Sequence, residues 1–156
     1  AFEWLNQDRK SQSLSSLNKP IVLLDFVYTR CLTVCQLMGY ELKQVQQTLS
    51  EEQLQDSVEL LSLSFDPEYD TPEKMGAYLQ RHKAEPGNWQ AGVIEARASL
   101  SRLLDQLGVV VLPDGSGGFV HNAAFYLIYE GTLVSIHDQD QLPKILKSIK
   151  ELHPTI

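Results

Sequence analysis

Cys31 and Cys35 are the only cysteines of the chain, and three residues separate them. A disulfide across so short a loop removes little entropy from the unfolded chain, so stapling the fold is a poor reason for the pair. Chemistry at the sulfurs is the better reason. If the two residues open a helix, their i, i+4 spacing turns both thiols to one side, with Cβ atoms about 5–6 Å apart. A disulfide prefers about 3.5–4.5 Å. The relaxed spacing therefore suits two thiolates sharing one metal ion, whereas oxidation would give a strained, labile bond. The helix N-terminus and the neighbouring Arg30 are expected to favour thiolate over thiol, which serves metal binding and thiol–disulfide exchange alike.

Two thiolates are an incomplete site for most metals, so a third donor is needed. Of the four histidines, His82 lies near the end of a charged helical stretch and His153 near the C-terminus, and both are expected to face solvent. His137 follows a strand and reads as an exposed turn residue with a weak claim as a substitute ligand. His121 lies between a Gly-rich turn and the apolar run AFYLIY, at the mouth of the sheet. Alone it would more often be a hydrogen-bonded, partly buried histidine; with the cysteine pair it becomes the candidate third ligand. Two soft thiolates and one imidazole suit Cu(I), and the harder imidazole admits Cu(II). Zinc is the runner-up, but structural zinc takes four protein ligands and the chain has no third cysteine. Asp66 and Asp70, in DPEYDTP, are explained by turn formation and helix capping and stay outside the site.

Elements must position these residues. IVLLDFV (Ile21–Val27) is a nearly unbroken apolar run, as expected of a strand covered on both faces. YTRCLTVC follows at once, and Met38, Leu42, Val45 and Leu49 then recur at helical spacing. The cysteines thus lie where a strand gives way to a helix. VELLSLSF repeats the buried-strand signal, and Thr71–Pro72 is an N-cap and first-turn pair for a helix ending near His82. A third helix is expected from Glu95 to Leu107, capped by Gly108. Val109–Leu112 is a short β-branched run, AFYLIY and TLVSIH read as hairpin arms about Glu130–Gly131, and a last helix carries Leu142, Ile145, Leu146, Ile149 and Leu152. This order implies an α/β fold, a central mixed β-sheet flanked by helices, to which a thioredoxin-like arrangement fits.

The 156 residues are 43% hydrophobic, enough for one domain over 1–156 with a real core. Thirteen Lys and Arg stand against 20 Asp and Glu, a net charge of −7 that repels nucleic acid. No apolar run approaches the roughly 20 residues that cross a bilayer, and AFEWLNQDRK lacks the layout of a signal peptide. The chain as given is expected to be soluble, a reading compatible with an anchor or export signal ahead of it.

Three blocks, DFVYTRCLTVC, SFDPEYDTPEKMGAYL and VHNAAFYLIYEGTLV, resemble in order and spacing the signature blocks of the Sco/SenC copper proteins. FEWLNQDRKSQSLSSLNKPIVLLDF resembles the family's first hairpin and strand, so the likeness spans nearly the whole chain. The resemblance implies a thioredoxin-like fold in which Cys31, Cys35 and His121 bind copper. It further implies an extracytoplasmic, periplasmic setting, usually with a membrane tether, and a part in building the dinuclear copper centre of cytochrome c oxidase. The partners would be a copper donor and a copper-receiving protein such as an oxidase subunit. Where the family usually has proline after each cysteine, this chain has Leu32 and Gln36, and Val120 replaces the aspartate before the histidine. The alternative function is a thiol–disulfide oxidoreductase acting through Cys31 and Cys35 on the cysteines of a partner copper site. A peroxidatic cysteine fits less well, because Thr29 lies only two residues before Cys31. An inert thioredoxin-like interaction domain is the remaining option.

Overall fold

The computed structural model describes residues 2–31, 34–113, 119–121 and 123–153. Its elements in chain order are β1 (Glu3–Asn6), β2 (Ser11–Ser13), β3 (Ile21–Val27), α1 (Val34–Glu51), β4 (Val58–Ser64), α2 (Pro72–Arg81), β5 (Trp89–Val93), α3 (Arg97–Leu107), β6 (Val111–Pro113), β7 (Phe119–His121), β8 (Ala124–Tyr129), β9 (Thr132–Asp138) and α4 (Leu142–Leu152). The apolar runs β3 and β4 are buried at every position, as central strands must be. The main sheet runs β2-β1-β5-β4-β3-β8-β9. β4 pairs in parallel with β3 and β5, and the other pairs are antiparallel, which gives the mixed sheet expected. β6 and β7 form a separate antiparallel pair in which Val111 faces His121. No helix among the described residues is long and apolar enough to cross a membrane.

Because β3, β4 and β5 step across the sheet in one direction and parallel crossovers are right-handed, α1 and α2 share a face. They meet closely: a Cβ added at Gly39 of α1 would lie 2.4 Å from His82 Nε2, just past α2, so only glycine lets the imidazole in. Lys43 Nζ and Gln46 Nε2 of α1 donate to the carbonyls of Lys83 (2.6 Å) and Glu85 (2.8 Å). At the other side of α1, the Glu41 carboxylate accepts from Gln139 Nε2 (2.9 Å) and Asp140 N (3.1 Å), which ties in the turn before α4.

Several local expectations hold. Thr71 caps α2, its Oγ1 accepting from Lys74 N at 3.2 Å, with Pro72 as the first helical residue. Gly108 ends α3 with φ 72°, and Glu130 (φ 49°) and Gly131 (φ 83°) make the left-handed pair of a tight hairpin turn. The strand β5 has no counterpart among the expected elements, because Gln90 and Gly92 interrupt its apolar pattern. Both residues are explained by the neighbouring chain. Gln90 accepts from Trp4 Nε1 and donates to Glu59, each at 2.8 Å. A Cβ at Gly92 would come within 2.1 Å of the Leu5 carbonyl oxygen, so β1 can lie beside β5 only at a glycine. α3 begins at Arg97, two residues later than expected.

Candidate metal and redox centre

The polypeptide leaves the sheet after Val27, turns through Tyr28–Arg30 and delivers Cys31 just ahead of α1. Cys31 N donates to the Tyr28 carbonyl at 3.0 Å. Cys35 lies in the first turn of α1, and its backbone N–H donates to Cys31 Sγ at 3.4 Å. Cys31 therefore belongs to the loop and Cys35 to the helix, both facing one point. Both are thiols, 5% and 0% exposed respectively.

The two sulfurs are not equivalent. Burial pushes the Cys35 thiol well above its ordinary range, and a hydrogen bond to Cys31 and the nearby charge of Asp25 push the same way. The expectation that Arg30 and the helix N-terminus would favour thiolate at both positions is thus overturned at Cys35. Desolvation outweighs the helix terminus there, and the Arg30 guanidinium is engaged by Asp66 at 2.7 Å. Cys31 Sγ, by contrast, accepts the backbone N–H of Cys35.

Side chains from three elements hold the loop. Gln36 Nε2 donates to the Cys31 carbonyl at 3.0 Å, in a position where the family usually has proline. Tyr78 of α2, fully buried, donates its hydroxyl to the Cys35 carbonyl at 3.4 Å. The Asp70 carboxylate accepts from the Thr29 hydroxyl and, at 3.1 Å, from Thr29 N. Beside it, Arg30 and Lys74 lie over the Tyr69 ring, at 4.4 and 3.4 Å from its centre. Beneath the pair, Asp25 is the one acidic residue of β3 and fully buried. Its Oδ1 accepts from Ser62 Oγ at 2.6 Å, and Oδ2 has no hydrogen-bond partner among the described residues. Burial raises this carboxyl to about 7.

The backbone of His121 ends β7, three residues ahead of β8. β8 runs antiparallel to β3, and Phe125 pairs with Asp25, so the chain before Phe125 and the chain after Asp25 meet at the same end of the sheet. The His121 side chain lies outside the described part of the structure, as do Leu32 and residues 114–118. Among the described residues no group of three or more His, Cys, Asp or Glu is arranged around a metal position. The chemistry of the two sulfurs, soft donors on a common side, fits a thiophilic ion. The other histidines are elsewhere. His137 is on β9, 8% exposed and 2.9 Å from Ser135 Oγ, not in an exposed turn. His82, expected to face solvent, packs its ring edge-on to Tyr78 and against Gly39, with Nε2 buried.

Tyr78 and Asp25 are not singled out by sequence; Asp70 reads there as a turn and capping residue, and Gln36 only as a departure from proline. For Asp25 a signal existed, since a lone acid in the run IVLLDFV must be buried with it.

Residues 1–153 match the SCO1/SenC family model. The chain is 30% identical over 129 residues to the SCO1 protein homolog of Bacillus subtilis (strain 168), which covers 81% of this chain; the match spans 66% of that relative's length. It is similar in structure to a SCO1/SenC family lipoprotein from Bacillus anthracis str. Ames, with TM-score 0.88 and 26% identity over 97% of this chain and 92% of the other. The copper-bound ScoI of Bradyrhizobium japonicum gives TM-score 0.79 and 25% identity, covering 96% of each chain. BsSco, described as having a disulfide switch and as a member of the Sco family of cytochrome c oxidase assembly proteins, gives TM-score 0.82 and 26% identity over 96% of this chain and 89% of the other. The likeness reaches from the first hairpin to the last helix and takes in the strand-to-helix junction that carries both cysteines: the fold is thioredoxin-like, and the chain belongs to the SCO1/SenC family.

Proposed function

We propose that the protein, as one domain over residues 1–156, holds a single copper ion through Cys31, Cys35 and His121 and passes it to a copper-receiving protein such as a cytochrome oxidase subunit. Copper is cargo here, and the protein acts as a metallation factor, not an enzyme. The observation that carries the reading is the cysteine pair itself, two sulfurs on one side of the start of α1 and in contact through the Cys35 N–H. The solved copper-bound relative supports the choice of ion. Two thiolates and an imidazole hold Cu(I) as a three-coordinate ion and admit Cu(II), so an acceptor can take the metal by replacing one donor at a time. The lipoprotein relative supports an extracytoplasmic setting with a tether, and a copper donor is the other partner required.

Anaerobic Cu(I) and aerobic Cu(II) titration of the reduced protein tests this reading. One copper per chain is expected, with binding lost in Cys31→Ser and in Cys35→Ser, and affinity reduced about 10–100-fold or more in His121→Ala. Unchanged binding in the cysteine variants would refute it.

A second reading, thiol–disulfide exchange with the cysteines of a partner's copper site, is favoured by the unequal thiols and by the disulfide switch of BsSco. In that role Cys31 attacks the partner disulfide, the partner's leaving sulfur takes up a proton, and Cys35 then displaces the reduced partner as the Cys31–Cys35 disulfide forms. Full exchange activity in His121→Ala, together with negligible copper affinity in the parent, would select this reading over the first.

A further inference from the structure

We propose that Asp70 is a positioning residue for the cysteine pair: a buried carboxylate at the foot of α2 that grips Thr29 and thereby fixes where Cys31 stands against α1. The proposal rests on the reading that Cys31 and Cys35 are the working pair, and it adds the part that sets their geometry.

The segment DPEYDTP has a turn to make and a helix to start, and neither task uses the Asp70 carboxylate. The turn is closed by the Asp66 carbonyl, which accepts from Tyr69 N at 3.1 Å and Asp70 N at 2.8 Å. The helix is capped by Thr71 Oγ1. The Asp70 side chain is instead 2% exposed and aimed at two other segments. Oδ1 accepts from Thr29 Oγ1; Oδ2 accepts from Thr29 N at 3.1 Å and from Ser64 Oγ at 2.6 Å. A buried carboxylate that accepts from three donors holds them in place, because each would be costly to leave without its acceptor.

The position of the grip gives it consequence. The parallel ladder of β3 and β4 closes with Phe65 N donating to the Val27 carbonyl at 3.1 Å, and beyond that bond the two chains part. Thr29 N would be left without a ladder partner just where the loop leaves the sheet, and Asp70 supplies one. Ser64, the last residue of β4, is held by the same oxygen, so the carboxylate joins the sheet end to the loop. Two residues further on is Cys31, whose sulfur must meet the Cys35 N–H, a contact of 3.4 Å fixed on the other side by α1. With Thr29 released, the loop side of that contact loses its fixed point while the helix side keeps its own.

The test compares four variants with the parent. Asp70→Ala removes all three acceptors. Asp70→Asn retains one oxygen for Thr29 N and Ser64 Oγ, and its amide can donate to Thr29 Oγ1. Thr29→Val removes only the hydroxyl, and Ile149→Ala destabilises the distant helix α4 as a control. Asp70→Ala is expected to lower copper affinity about 10–100-fold and to alter the thiolate-to-Cu(II) charge-transfer spectrum. Asp70→Asn should recover most of the loss, Thr29→Val should fall between, and Ile149→Ala should bind like the parent. Should Asp70→Ala fail to fold, Thr29→Val decides. Two measurements need no metal, the reduction potential of the pair and the alkylation rate of Cys31, and both should shift in Asp70→Ala and Thr29→Val. A parent that binds no copper overturns the metal reading alone, and these two measurements then decide the role of Asp70. Folded Asp70→Ala and Thr29→Val proteins with the parent's potential, alkylation rate and any copper affinity would overturn the proposal.

Discussion

Asp25 in the centre of β3 and Asp70 at the end of the turn before α2 are both buried carboxylates, and their surroundings differ. Asp25 has a single donor, Ser62 Oγ, whose own oxygen accepts from Trp89 Nε1 at 3.2 Å; its second oxygen has no partner among the described residues. Asp70 has three donors from Thr29 and Ser64. At Asp25 burial is left largely uncompensated, and that carboxyl rises to about 7. The number of donors facing a buried acid decides whether its oxygens are engaged in holding a loop or one is left over in the core.

The largest effect expected from this contrast is in the pH dependence of stability. The folded-state pKa of Asp25 lies above the unfolded value of 3.8, so the folded protein keeps a proton that the unfolded chain releases. The stability this proton contributes is fully present below 3.8 and is lost as pH rises through about 7. A shift of this size corresponds to a change on the order of 4 kcal/mol. Asp25→Asn removes the titration, so urea unfolding of parent and variant at intervals from pH 4 to 8 should show the difference moving in the variant's favour as pH rises. Parallel curves would break the contrast, because Asp25 would then be ionised in the fold like any solvated carboxylate.

Asp70 should respond to the same chemistry in the opposite way. Asp70→Ala leaves Thr29 N and Ser64 Oγ without their acceptor and is expected to destabilise by about 3 kcal/mol, while Asp70→Asn, keeping an oxygen, costs less than half of that. Asparagine is thus favourable at Asp25 above pH 7 and unfavourable at Asp70, where an acceptor is lost. Chemical denaturation at pH 8 measures both, and asparagine variants that move stability in the same direction would contradict the donor-count explanation.

The same contrast separates what the sequence disclosed from what it withheld. The buried strands, the Thr71–Pro72 helix start, the Gly108 cap and the Glu130–Gly131 turn were legible, because each depends on residues near one another in the chain. The cysteine pair was legible for the same reason. β5 was not, since Gln90 and Gly92 make sense only against Trp4 and Leu5 of a strand more than eighty residues away. Asp70 was read as a turn residue because its local role explains its presence, and Thr29, its real partner, is 41 positions distant. His82 was read as a solvent-facing residue, although the notch that receives it is Gly39, in another helix.

That notch provides a third measurement, in which shape replaces hydrogen bonding as the means of fixing α1. Alanine is a better helix former than glycine by about 1 kcal/mol, so on helix propensity alone Gly39→Ala should stabilise. With the His82 ring 2.4 Å from the new methyl, it is instead expected to destabilise by about 1–3 kcal/mol. Gly39→Ala combined with His82→Ala should be more stable than His82→Ala alone. Failure of that rescue would show that α1 is not seated on the imidazole.

The smallest effect concerns Gln36, where this chain departs from the proline its family usually carries after the second cysteine. A proline there would fix φ within the first turn of α1, a position that tolerates it because the N–H is not needed by the helix. Glutamine leaves the backbone freer and adds a hydrogen bond from its Nε2 to the Cys31 carbonyl at 3.0 Å. Gln36→Ala, with neither device, should cost about 1 kcal/mol. Gln36→Pro loses the same hydrogen bond but restricts the unfolded chain, which offsets about 0.4–1 kcal/mol, so its stability should lie close to the parent's. The two restraints act at different atoms, however. Proline stiffens the helix side of the pair and removes the Gln36 bond to the Cys31 carbonyl, so Gln36→Pro should resemble Gln36→Ala in the alkylation rate of Cys31 while resembling the parent in its unfolding midpoint. Agreement of the proline variant with the parent in both would mean that the glutamine merely replaces a rigid ring, and that the loop side of the pair is held by Thr29 and Asp70 alone.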